Sequence, residues 1–91
     1  MKRVIWDERA VQDLSNVATY IANDSPRSAK RVAEYLRDRA LLLETSPELG
    51  RAVEDGTREL VLSRYPYVLV YEIADDEVHI IALFHHSQKR V

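Results

Sequence analysis

Between Asp7 and Glu44 the apolar residues recur every three or four positions, and beyond Thr57 they alternate with polar ones. The first period is that of a helix and the second that of a strand. "KRVIW", apolar at Val4, Ile5 and Trp6, predicts a short opening strand, and Asp7 is placed to cap the helix that follows. Val11, Leu14, Val17, Ala18 and Ile21 then fall on one helical face, with Gln12, Asp13, Asn16 and Thr19 elsewhere. The helix is expected to stop near "NDSP". Ser25 followed by Pro26 reads as a new N-cap with proline at the first helical position, where its missing N–H is harmless. A second helix runs from there to about Glu44, with Ala29, Val32, Ala33, Leu36, Ala40 and Leu43 on its apolar stripe. Its small alanines permit close approach of the first helix, which predicts an antiparallel helical hairpin.

"TSPELGRAVEDGTRE" breaks the pattern with Pro47, Gly50 and Gly56 and predicts a loop of roughly a dozen residues. Three strands follow, in "TRELVLS", "YPYVLVYEI" and "EVHIIALFH", with a tight turn at Ala74-Asp75-Asp76. Apolar residues of both parities in the last two place them centrally, covered at least partly on both faces. The predicted order is β-α-α-β-β-β. The fold class is α+β, a helical hairpin packed on a small antiparallel sheet, as one domain over residues 1–91.

Charge narrows the partners. The formal balance is −2, with eight basic against seven acidic residues up to Pro47 and five against eight after it. Neither part is a basic patch of the kind that grips a phosphate backbone, so direct nucleic-acid binding is not expected. Folding could still gather Arg51, Arg58, Arg64, Lys89 and Arg90 on one surface. There is no cysteine, which excludes disulfides and thiolate chemistry and suits a reducing cytoplasm. No stretch approaches the apolar length of a membrane span, and no signal segment opens the chain, so a cytoplasmic protein is expected.

Candidate chemistry concentrates at the C-terminus, "ALFHHSQKRV". Successive strand residues point to opposite faces, so His85 and His86 cannot converge on one ion, and neither a metal nor any other cofactor is expected. His79 is a lone strand histidine, surface-exposed or hydrogen-bonded. His86 beside Arg58 or Arg64 could supply the base and cations needed to cleave an RNA phosphodiester. It could equally be the polar close of a strand whose core has ended. Arg64-Tyr65-Pro66-Tyr67 reads either as a stacking surface for bases or as a turn whose tyrosines pack with their hydroxyls in water.

Taken in order, these segments resemble a known family. "DERAVQDLSNVATYIANDSPRSAKRVAEYL" resembles the opening helices of the ParE branch of the ParE/RelE toxin superfamily. "SPELGR" resembles its loop, and "TRELVLSRYPYVLVYEIADDEVHIIALFHHSQ" its closing strands. The resemblance spans nearly the whole chain, and it implies two N-terminal helices on an antiparallel sheet.

It further implies a toxin of a type II toxin–antitoxin pair, neutralised by a cognate ParD-like antitoxin. In this superfamily, RelE-type members cut mRNA on the ribosome and ParE-type members inhibit DNA gyrase. The nucleases usually carry an arginine inside an "hRLVY"-like third strand and a catalytic aromatic or His-Tyr pair at the C-terminus. Here the corresponding positions hold Val68, in "PYVLVY", and Ser87, after His86. The resemblance therefore points to a non-catalytic, ParE-like inhibitor with gyrase as target, contacting it through the end of the last strand and the tail, His85, His86, Lys89 and Arg90. The alternative is a RelE-like endoribonuclease using His86 with Arg58 and Arg64.

Overall fold

The structure, a computed structural model, describes residues 1–87. Strand β1 (Arg3–Trp6) leads into helix α1 (Glu8–Ala22), followed by helix α2 (Pro26–Leu41), one 3₁₀ turn (Leu42–Glu44), and strands β2 (Arg51–Ala52), β3 (Arg58–Val61), β4 (Tyr67–Ala74) and β5 (Glu77–His85). The five strands form one sheet in the order β1-β5-β4-β3-β2.

Two features of the sheet differ from the sequence expectation. The sheet is mixed, because β1 pairs with β5 in parallel, Arg3 opposite Glu77 and Trp6 opposite Ile80. Alternation reports that a segment is a strand but not the direction of its partner. The loop after the helices also contributes the two-residue strand β2, with Arg51 opposite Glu59 and an Arg51–Glu59 ion pair of 3.2 Å.

The helix boundaries follow local chemistry. The Ser25 hydroxyl accepts the Ser28 N–H at 3.2 Å, and Pro26 opens α2. The predicted stripe of α2, from Ala29 to Leu43, is buried throughout. On α1 the stripe is centred on Ala10, Leu14, Val17 and Ile21, a 4-3-4 spacing. Val11 lies about 100° around the helix from Ala10 and is 51% exposed, so its assignment to the core face is corrected.

β4 and β5 hold the centre. Tyr67, Leu69 and Tyr71 of β4 join Val78, Ile80 and Leu83 of β5, Leu60 and Leu62, and the α2 stripe in one core between sheet and helices. The alternation on β5 changes parity within this set, from Val78 and Ile80 to Leu83. A bulge causes it, since Val70 faces Ala82 while Tyr71 faces Ile80, leaving Ile81 as the extra residue. On the other face, Val68 and Val70 are also buried, as strands covered on both sides require.

Tyr71 fixes the loop. Its buried hydroxyl donates to the Pro47 carbonyl at 2.7 Å and accepts the Gly50 N–H at 2.8 Å. A Cβ on Gly50 would lie 2.8 Å from the Tyr71 ring and 2.9 Å from the Glu59 carbonyl oxygen, so only glycine fits. Burial is the larger influence on this phenol and raises its pKa, opposed by the Gly50 bond and the nearby Arg58 charge. Tyr71→Phe strips the Pro47 oxygen and Gly50 N–H of their common partner. We expect a loss of about 1–3 kcal/mol in urea unfolding.

Asp7 stands at the N-cap of α1, yet its side chain caps nothing. Its carboxylate instead meets His79 Nδ1 at 3.1 Å, while Glu77 meets His79 Nε2 at 3.0 Å and pairs with Arg3 through its other oxygen. Glu72 of β4 stands opposite His79 in the register. Two carboxylates on two ring nitrogens are both satisfied only by the imidazolium. The bond to Asp7, then that to Glu77, raises the His79 pKa above 6.5. A raised folded-state pKa contributes stability that is fully present below 6.5 and is lost as pH rises through the folded value. The unfolding midpoint should therefore fall as pH rises from 6.5 through the folded value, and His79→Gln should flatten the profile there.

Candidate interaction site at the end of the last strand

The parity change at Ile81 decides which of the two histidines faces the helices. His85 shares the parity of Leu83, on the core side, and its ring packs edge-on against Tyr67, centroids 5.4 Å apart at 84°. Its Nδ1 lies 2.7 Å from the Ser87 hydroxyl. His86 leaves the strand, donates its N–H to the Pro66 carbonyl at 2.5 Å, and is exposed.

β1 ends at Trp6, and α1 takes its place beside β5. Asp7 N–H reaches the Ile80 carbonyl at 2.9 Å, and Asp13 Oδ2 accepts the Leu83 N–H at 3.0 Å. The Asp13 carboxylate thus serves as the lateral partner that a longer β1 would have supplied. Between α1 and the end of β5 opens a cleft of about 530 Å³, lined by Asp13, Asn16, Val17, Tyr20, Tyr67, Leu83, Phe84, His85 and Ser87. Tyr20 forms its exposed lip, 75% accessible. Burial, then the neighbouring Tyr20 phenol, pushes the Tyr67 hydroxyl above its ordinary pKa, so it stays neutral at physiological pH.

Arg58 and Arg64 lie elsewhere. Arg58 donates to the Gly50 carbonyl at 2.8 Å, and so binds the same loop as Tyr71. It stands opposite Tyr71, four residues along β4 from Tyr67, a separation of roughly 13 Å. Arg64 lies over the Tyr65 ring, 5.8 Å from its centroid, in the β3–β4 turn. Tyr65 packs edge-on against Tyr35 at 5.2 Å, and the Tyr35 hydroxyl accepts the Arg64 N–H at 3.3 Å. The turn's tyrosines are therefore engaged in packing. Arg58 is not gathered with Arg64 and His86 into one centre. Lys89 and Arg90 lie outside the described residues. Among the described residues, no three His, Asp or Glu side chains are grouped to hold a metal ion, and no helix is long and apolar enough to cross a membrane.

Asp13 and Tyr20 were not singled out from sequence, and Tyr67 was read only as part of the Arg64-Tyr65-Pro66-Tyr67 turn. The signal was present in part, since Asp13, Asn16 or Val17, and Tyr20 recur at helical spacing, but the bulge that turns His85 toward them has no sequence mark.

Two helices on one face of a five-stranded mixed sheet, with a polar, aromatic cleft where the last strand outruns the first, define a small α+β protein. The family described as "ParE toxin of type II toxin-antitoxin system, parDE" matches residues 4–90. "Toxin RelE2" of Caulobacter vibrioides is 41% identical over 85 residues, covering 93% of this chain and 96% of that protein. "Toxin RelE3" of the same organism is 35% identical, covering 99% of each. The fold is that of the chromosomal ParDE system of P. aeruginosa (TM-score 0.82, 21% identity, 93% of this chain and 96% of that one) and of the isolated E. coli RelE toxin (TM-score 0.70, 20% identity, 98% and 88%). The chain belongs to the ParE toxin family. It is the toxin of a type II toxin–antitoxin pair, with a cognate antitoxin as partner.

Asp13→Ala leaves the Leu83 N–H without an acceptor at the sheet edge. The expected cost is about 1–3 kcal/mol, with faster hydrogen exchange at the Leu83 amide as the local readout.

Proposed function

We propose that this toxin arrests growth as a non-catalytic, cytoplasmic inhibitor of DNA gyrase. The observation that carries the reading is the state of Val68. It occupies the strand position at which RelE-type nucleases carry an arginine, it is 2% exposed, and it is flanked in the register by Val61 and Phe84. An apolar row in that place offers no charge to a developing phosphorane. The engagement of Arg58 with the loop carbonyls and the serine at position 87 support the same reading. The contact surface in this proposal is the end of β5, where His85 borders the cleft and His86 is exposed, continued by Lys89 and Arg90.

The relatives named RelE keep ribosome-dependent mRNA cleavage as the competing outcome. Tightly controlled expression without an antitoxin separates them. Inhibition of gyrase predicts growth arrest with filamentation and SOS induction, intact mRNA, and loss of supercoiling activity when purified toxin is added to gyrase. Cleavage of mRNA within codons, with rapid loss of translation, would overturn the proposal. His86→Ala sharpens the distinction, because removing a general base costs about 10²–10⁴-fold in activity. Under the inhibitor reading its effect on arrest stays below about tenfold, the scale of one peripheral contact.

A further inference from the structure

The cleft between α1 and the end of β5 has a composition that selects its occupant. Asp13, Val17 and Tyr20 stand at steps of four and three on one stripe of α1, so a carboxylate and a phenol share one wall. Tyr67 and His85, locked edge-to-face, form the wall opposite. Asp13 uses only Oδ2 in its bonds, to the Leu83 N–H and, at 4.0 Å, to the exposed Arg9 side chain. Its Oδ1 has no partner among the described residues. Among the described residues, no lysine or arginine lines the cleft.

We propose that this cleft accepts an arginine side chain presented by the cognate antitoxin, its guanidinium lying against Tyr20 and Tyr67 and donating to Asp13 Oδ1. The proposal rests on the toxin reading only for the identity of the presenting protein. Charge complementarity favours a cation, because an occupant meets the Asp13 carboxylate, the exposed Tyr20 ring and the edge of Tyr67 left in the lining, in a chain of net charge −2. A nucleotide would bring its phosphate to that carboxylate, with no cation among the described lining residues to receive it. A planar guanidinium can stack on a phenol while bonding in its own plane, which a lysine ammonium cannot do.

The test uses the full purified chain and a defined probe. N-acetyl-arginine amide is titrated into ¹⁵N-labelled protein, with the citrulline analogue as its uncharged isostere. The expected result is saturable shifts of the Asn16, Tyr20 and Ser87 amides, with a dissociation constant on the order of millimolar and at least about tenfold weaker binding of citrulline. Tyr20 is an exposed lip residue, so Tyr20→Ala should fold normally and weaken the probe about threefold or more. Asp13→Asn, which keeps an acceptor for Leu83, should abolish the preference for arginine over citrulline. Equal response to both probes, shifts elsewhere only, or no shift would overturn the proposal. A response that emerges only after deletion of residues 88–91 would also overturn it, by assigning the cleft to the chain's own tail. The growth-arrest assay does not enter this result, so failure of the gyrase reading and failure of the arginine site are read separately.

Discussion

The parallel pairing of β1 with β5 is the constraint on which the rest of the structure depends. A parallel pair cannot be closed by a turn; it needs a crossover, and here the crossover is nearly the whole chain from Asp7 to Asp76. Loop-closure entropy for such a span is considerable, and four residue pairs alone would repay little of it. The junction is reinforced accordingly. Arg3, Glu77, His79 and Asp7 link in series across it, and Lys2 adds a bond from its N–H to the Glu44 carbonyl and one from its ammonium to the Asp75 carbonyl. Asp7 gives up helix capping to take part, which shows the lateral tie taking precedence over the local one.

From that pairing the site follows by geometry. β1 is four residues long and β5 nine, so the far half of β5 would present bare N–H groups at an edge. α1 begins immediately after β1 and lies along that half, and Asp13 answers the Leu83 N–H. The helix cannot approach as closely as a strand would, and the difference in spacing is the cleft. The bulge at Ile81 then determines its chemistry. Without the extra residue, Phe84 and His86 would point toward the helices in place of Leu83 and His85.

Much of this was legible in the sequence, because the features concerned are periodic or local. The hairpin of helices, the Ser25-Pro26 start of α2 and its buried stripe, and four of the five strands follow from patterns within a dozen residues. What escaped the sequence depends on distant partners. Strand direction at β1, the use of Asp7 by a histidine 72 positions away, and the binding of Arg58 to the Gly50 carbonyl are set by tertiary pairing. The same applies to the site: "HH" identifies the right end of the right strand, but one unpaired isoleucine decides which histidine faces inward.

The chemistry of the cleft also bears on how a toxin can exist without its partner. An interaction groove lined with leucine and valine would bury apolar surface strongly on binding but leave a sticky patch when the partner is gone. Tyr20, Tyr67, His85, Asp13 and Asn16 present ring faces for contact and polar atoms for water at the same positions. Such a surface is compatible with solvent in the free chain and with close packing in a complex, since tyrosine loses only two torsions when it is fixed. Among the described residues, the other large apolar side chains that remain exposed, Met1, Val11, Leu41, Leu42, Leu49 and Val61, are distributed over the N-terminus, α1, the end of α2 and the turn after it, the loop and β3. On the arginine proposal, a partner without that cation brings no donor to Asp13 Oδ1, and the lost bond separates it from the cognate one.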